Sequence, residues 1–132
     1  LQSCRLMKFT KTVDCGNSPK REFLKELSRL FAAYEIDQAM SYMDEDIHWT
    51  LVGDQAISGR ENFAAALREH SDNKMKELII HSIITHGKEA AVYGEMLMKN
   101  GQHFVFADIY TFKSAKGDKV KSIVSFVQLK NS

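Results

Sequence analysis

A chain of 132 residues with 44% hydrophobic and 27% charged side chains has room for one buried core but not for a second independent one, and this composition excludes disordered and fibrous classes. Its 18 basic and 17 acidic residues are interspersed to a net charge of +1, which leaves no cationic footprint for nucleic acid or an anionic membrane. Two cysteines, Cys4 and Cys15, exclude a disulfide framework, and no apolar run approaches the ~20 residues of a membrane-spanning helix.

Residues 1–17 lack an apolar core of signal-peptide length, and Met7 reads as a native start preceded by an appended remnant, which places the protein in the cytoplasm by default. This segment is expected to be flexible or partly extraneous, with a single domain over 18–132. Ser18-Pro19 signals a helix start. Phe23, Leu24, Leu27, Leu30, Phe31 and Tyr34 then form one stripe at helical spacing. A shorter helix follows through Ile36, Ala39, Met40 and Met43, ending in a solvated acidic turn, Asp44-Glu45-Asp46. Ile47 to Val52 alternates as a strand carrying the only tryptophan, Trp49, and Gly53-Asp54 turns it into Gln55–Ile57. Ser58-Gly59-Arg60-Glu61 matches a capping box opening a third helix to about His70. Beyond Lys74, four strand-like runs, Leu78 to Thr85, Ala90 to Met98, His103 to Phe112 and Val120 to Leu129, form an antiparallel meander.

The run His103 to Phe112 matters most. Its alternation puts Phe104, Phe106, Asp108, Tyr110 and Phe112 on one face. An ionised carboxylate among rings is costly unless neutralised, paired or used. Asn100-Gly101 is a strong two-residue hairpin signal, and a type I′ turn pairs Lys99 with Gln102. Tyr93 then opposes Asp108, within reach of a phenol–carboxylate hydrogen bond, with Glu95 one step along as a second-choice base. The opposite face of that hairpin, with Met96, Val105, Ala107 and Ile109, is also apolar and is expected to bury itself in a homodimer.

The element order resembles the nuclear-transport-factor-2-like superfamily. The closer likeness is to its SnoaL-like members, through Asp46-Ile-His-Trp-Thr-Leu-Val-Gly53, Ile57-Ser-Gly-Arg-Glu61, Ala107-Asp-Ile-Tyr-Thr-Phe112 and Lys119-Val-Lys-Ser-Ile123. The resemblance implies an α+β cone, a curved, mainly antiparallel sheet wrapped round three helices from the N-terminal half. It also implies that Asp108 occupies the position of the acid/base aspartate of SnoaL-like cyclases and of the protonated aspartate of ketosteroid isomerases, a carboxylic acid kept neutral by an apolar site. Leu51 and Leu27 fall where an isomerase has its base and its tyrosine, so steroid isomerisation is not expected.

These readings predict a pocket for a small hydrophobic or aromatic molecule, with Asp108 and Tyr93 as polar or catalytic groups and Trp49, Leu51, Glu95, Phe104, Phe106 and Tyr110 as ligand-binding walls. Two accounts of Asp108 stay open, proton transfer of cyclase or isomerase type and a purely structural acid in a non-catalytic binding or dimerisation module. No metal or cofactor is expected. The five histidines show no ligand spacing, and there is no phosphate loop or nucleophile elbow.

Overall fold

The computed structural model describes residues 8–11, 18–72 and 74–130; Cys4, Cys15 and the start inferred at Met7 lie outside them. Helix α1 (Pro19–Ala32) is followed by α2 (Ile36–Met40), strands β2 (Met43–Leu51) and β3 (Gln55–Ser58), α3 (Arg60–Glu69), and then β4 (Met75–His86), β5 (Glu89–Met98), β6 (His103–Phe112) and β7 (Val120–Leu129). Strand β1 (Lys8–Lys11) precedes α1 and pairs in parallel with β4. The segment expected to lie outside the domain therefore contributes a strand to its sheet. One seven-stranded sheet results, in the order β1-β4-β5-β6-β7-β2-β3, with the antiparallel meander at its centre.

The stripe on α1 does what its spacing implies: Leu24, Leu27 and Leu30 are fully buried, and the helix packs across β4 while α3 covers β2. Bulges between Ile80 and Ser82 on β4 and between Val120 and Ser122 on β7 bend the strands, so the sheet curls round the helices. Helix α1 ends in a Schellman pattern, with Glu35 N–H donating to Leu30 O at 2.9 Å and Tyr34 N–H to Phe31 O at 3.1 Å. That pattern requires a left-handed residue, and Tyr34 fills it at φ 57. A non-glycine residue there costs about 1 kcal/mol, and its phenol ties the end of α1 to the end of α3 by donating to His70 O at 2.9 Å.

Three local expectations are corrected. The acidic triplet is not a turn: β2 already begins at Met43, and Asp44 accepts from Lys113 Nζ at 3.1 Å. The capping box does not close. Gly59 at φ 93 is the N-cap and no side chain caps it, because Ser58 still belongs to β3 and its hydroxyl meets His48 Nδ1 at 2.9 Å.

The third correction governs the site. The Asn100-Gly101 loop has three residues, not two: Gly101 N–H donates to Met98 O at 3.0 Å and Met98 N–H to Gln102 O at 2.9 Å. Only Gly101 takes positive φ, at 92, while Asn100 does not and instead accepts from Gln102 N–H through its side chain at 2.9 Å. This is a type I turn closed by a glycine bulge. Pairing shifts by one, so Val92 opposes Asp108 and Tyr93 opposes Ala107. A one-residue slip exchanges the faces of β5. In the two-residue register Glu95 and Tyr93 would enter the core and Val92 and Met96 would leave it; the observed register buries the apolar set.

Candidate functional site

With the register fixed, the concave face carries Val92, Gly94 and Met96 from β5 beside Phe104, Phe106, Asp108 and Tyr110 from β6, and Ile123, Ser125 and Val127 from β7. Helices α1 and α3 roof it. Between roof and sheet lies a cavity of about 170 Å³, walled by Phe31, Leu67, Met75, Leu78, Met96 and Phe106. A second lobe of about 140 Å³ runs toward Trp49, Phe63 and Ile123. Phe31, Leu67, Asp108 and Tyr110 line both, so the carboxylate stands where the lobes meet. A cavity of ~150 Å³ accepts a benzene ring, and the pair matches a one- to two-ring molecule.

Asp108 sits opposite Ser125. Burial pushes its carboxyl up from 3.8 to about 6, and a hydrogen bond from Ser125 works in the opposite direction. Ser125 in turn accepts from Trp49 Nε1 at 3.0 Å. Tyr110 is 1% exposed; burial first, then the neighbouring Asp108 charge, hold its phenol well above 10. The Ser28 side chain works in the opposite direction, and its hydroxyl donates to Leu24 O at 2.8 Å.

Of the expected walls, Trp49, Phe106 and Tyr110 line the lobes. Phe104 packs against the core beyond them. Leu51 lies two residues past Trp49 toward the end of β2 and is partly exposed, outside both lobes. Tyr93 and Glu95 are not beside Asp108. The shifted register turns them to the convex face, where Tyr93 is 46% exposed with its ring 5.2 Å from that of His81. Glu95 is held there by His81 Nε2 and His103 Nε2, each at 2.5 Å, and Lys130 Nζ at 3.3 Å. The His81 hydrogen bond above all, against a smaller burial penalty and with His103 and Lys130 adding to it, draws its carboxyl down to about 2. A base so stabilised in its ionised form is a poor proton acceptor at neutral pH.

Ser125, Ser28 and Met96 were missed in the sequence. Ser125 was findable, as the one polar side chain between Ile123 and Val127 on an otherwise apolar strand face. Ser28 likewise interrupts the apolar stripe of α1.

Among curated proteins, none matches this sequence. The profile of the SnoaL-like domain matches residues 24–123. Many solved structures share the fold. An NTF-2 like protein of unknown function from Burkholderia xenovorans LB400 superposes with a TM-score of 0.72 at 22% identity, over 86% of this chain and 85% of that one. The epoxide hydrolase/cyclase-like enzyme SalBIII, described in pyran ring formation in the polyether salinomycin, gives 0.68 at 18%, over 83% and 90%. A de novo designed protein with a curved β-sheet gives 0.70 at 18%, over 85% and 88%. No helix among the described residues is long and apolar enough to cross a membrane.

Proposed function

Because the chain belongs to the SnoaL-like domain family, we propose that it binds a small hydrophobic or aromatic molecule between sheet and helices and exchanges a proton with it through Asp108, in chemistry of cyclase or isomerase type. One observation carries this: a carboxyl whose pKa is raised to about 6 stands at the junction of two apolar lobes. A group titrating near neutrality can both take and give a proton there. The walls would be Trp49, Phe106 and Tyr110, with Met96 and Leu67 added. Tyr93 and Glu95 take no part in this reading, and Leu27, 1% exposed in the core, supplies no tyrosine of the kind a ketosteroid isomerase uses.

The single tryptophan lines the cavity, so its emission reports occupancy. Titration with one- and two-ring fragments is expected to shift Trp49 fluorescence saturably, and a library that leaves the emission unmoved would refute the pocket. For a turned-over ligand, Asp108→Asn is expected to retain binding and lose about 10²–10⁴ in rate. Unchanged turnover would leave the domain a binding module.

We also propose a homodimer through the convex face. Val105, Ala107 and Ile109 lie there as expected, but Met96 does not, since it lines the cavity. Tyr93 and Phe126 extend the patch, and both are exposed together with Ile109. Light scattering at micromolar concentration is expected to give twice the 15.0 kDa chain mass; a monomeric mass would remove the proposal.

A further inference from the structure

Charge is distributed unevenly between the interior of the cavity and its mouth. Among the described residues lining the two lobes, Asp108 is the one acid, and no Lys or Arg joins it. An anion seated inside would lie near a like charge, in surroundings that screen poorly, with no cation to offset either.

The rim differs. His70 and Val127 are the exposed members of the first lobe's lining, and Tyr34 stands part-buried beside His70. Lys74 sets its ammonium 5.1 Å from the centre of the Tyr34 ring, inside the ~6 Å range of a cation–π contact. Lys74 is exposed, and no carboxylate among the described residues, the chain neighbours Glu69 and Asp72 included, pairs with it. The seat beneath it is fixed twice over. Tyr34 closes the end of α1 at φ 57, and its phenol donates to His70 O at 2.9 Å. Glycine would close that turn with less strain. What the ring adds at this corner is a wall for the lobe and a platform for the ammonium.

The two charges are also far apart. Val92 pairs with Asp108, and Met98, six residues further along β5, pairs with Met75, the neighbour of Lys74. At ~3.3 Å per residue the rim backbone lies up to roughly 20 Å along the strand from Asp108, beyond the screening length of about 10 Å at 0.1 M salt. An anion held at the rim is therefore largely shielded from Asp108.

We propose that the cavity takes an amphipathic acid ring first, with an uncharged aromatic or alicyclic body in the lobes and its carboxylate left at the rim on Lys74. This rests on the cavity reading above and gives its ligand a polarity. Lys74 decides which end enters, and so which part of the molecule is brought to Asp108.

The ω-phenylalkanoates from phenylacetate to phenylhexanoate, each beside its uncharged primary amide, form a graded series for calorimetric titration of the wild-type protein at about pH 8 and low salt. Phenylacetate, whose carboxylate cannot leave the lobes while its ring occupies them, is expected to bind more weakly than phenylacetamide. The order is expected to reverse as the chain lengthens. The longest acids should bind about two- to fivefold tighter than their amides, the range of an exposed ion pair, and lose that advantage at about 0.5 M salt. Lys74→Gln is expected to abolish the advantage without changing amide affinity, and Lys74→Arg to keep it; the exposed position leaves the core untouched in both. Acids no tighter than amides at every length, or an advantage that survives Lys74→Gln, would overturn the inference and leave the cavity standing, since the amides report it independently. Failure of acids and amides alike to bind would bring down the cavity reading and this inference with it.

Discussion

Asp108→Asn is expected to stabilise the folded protein at neutral pH. The folded-state carboxyl titrates at about 6 against 3.8 for a free aspartate, so between those values the folded state binds a proton that the unfolded state has released. Stability therefore rises as pH falls from above 6 toward 3.8, and above 6 the full penalty of the buried charge is present. A displacement of this size corresponds to on the order of 2–3 kcal/mol. Replacing the acid with its neutral isostere removes that penalty, so urea denaturation at about pH 8 is expected to show a gain of this order, with Tm up by roughly 8–12 °C.

Near pH 4 wild type and variant are expected to coincide, because the wild-type acid is then protonated in the fold. The acid-sensitive Glu95, whose stabilising contacts are lost as pH drops through about 2, contributes equally to both and cancels in the difference. A variant less stable than wild type at both pH values would mean that Asp108 is a structural partner of Ser125 and that its charge costs nothing. Stability given up at one residue is the usual mark of a position kept for what it does rather than for how it packs.

Gly94→Ala is expected to have the largest destabilising effect of any single-methyl addition in the sheet. Gly94 sits on the concave face opposite Phe106, next to the β4 bulge. A Cβ built on it would lie 2.1 Å from Ile79 O and 3.0 Å from Phe106 Cε1. The ring can rotate away, but the carbonyl belongs to the neighbouring strand and moves only if the ladder opens. Overpacking of this kind costs about 3 kcal/mol or more, and denaturant titration is the direct measure. Adding Phe106→Leu is expected to restore little, since the obstacle is backbone; full recovery in the double variant would locate the clash in the ring instead.

The fold was legible because its signals are local and mutually consistent. The 3.6-residue stripe of α1, the alternation from His103 to Phe112 and the spacing of four strand-like runs each specify one element with one wet and one dry face. Asp108 stood out for the same reason, as a carboxyl in a row of rings. The partner assigned to it was wrong, because Asn100-Gly101 satisfies two turn types that differ by one residue in loop length. Nothing within the loop separates them. The choice fell to Val92, which is buried, and Met96, which is partly buried, on the concave face only in the three-residue register, and to Glu95, which escapes to His81, His103 and Lys130.

The sequence by itself determined the architecture, the family and the acid at the centre of the concave face, since residue type and period set which side of each strand can leave water. Tertiary structure alone decided which residues stand next to that acid. Neighbours across a sheet depend on register, and register here is set by the summed burial of whole strands rather than by the turn that joins them. Ser125, Trp49 and Tyr110 therefore surround Asp108, and Tyr93 faces outward.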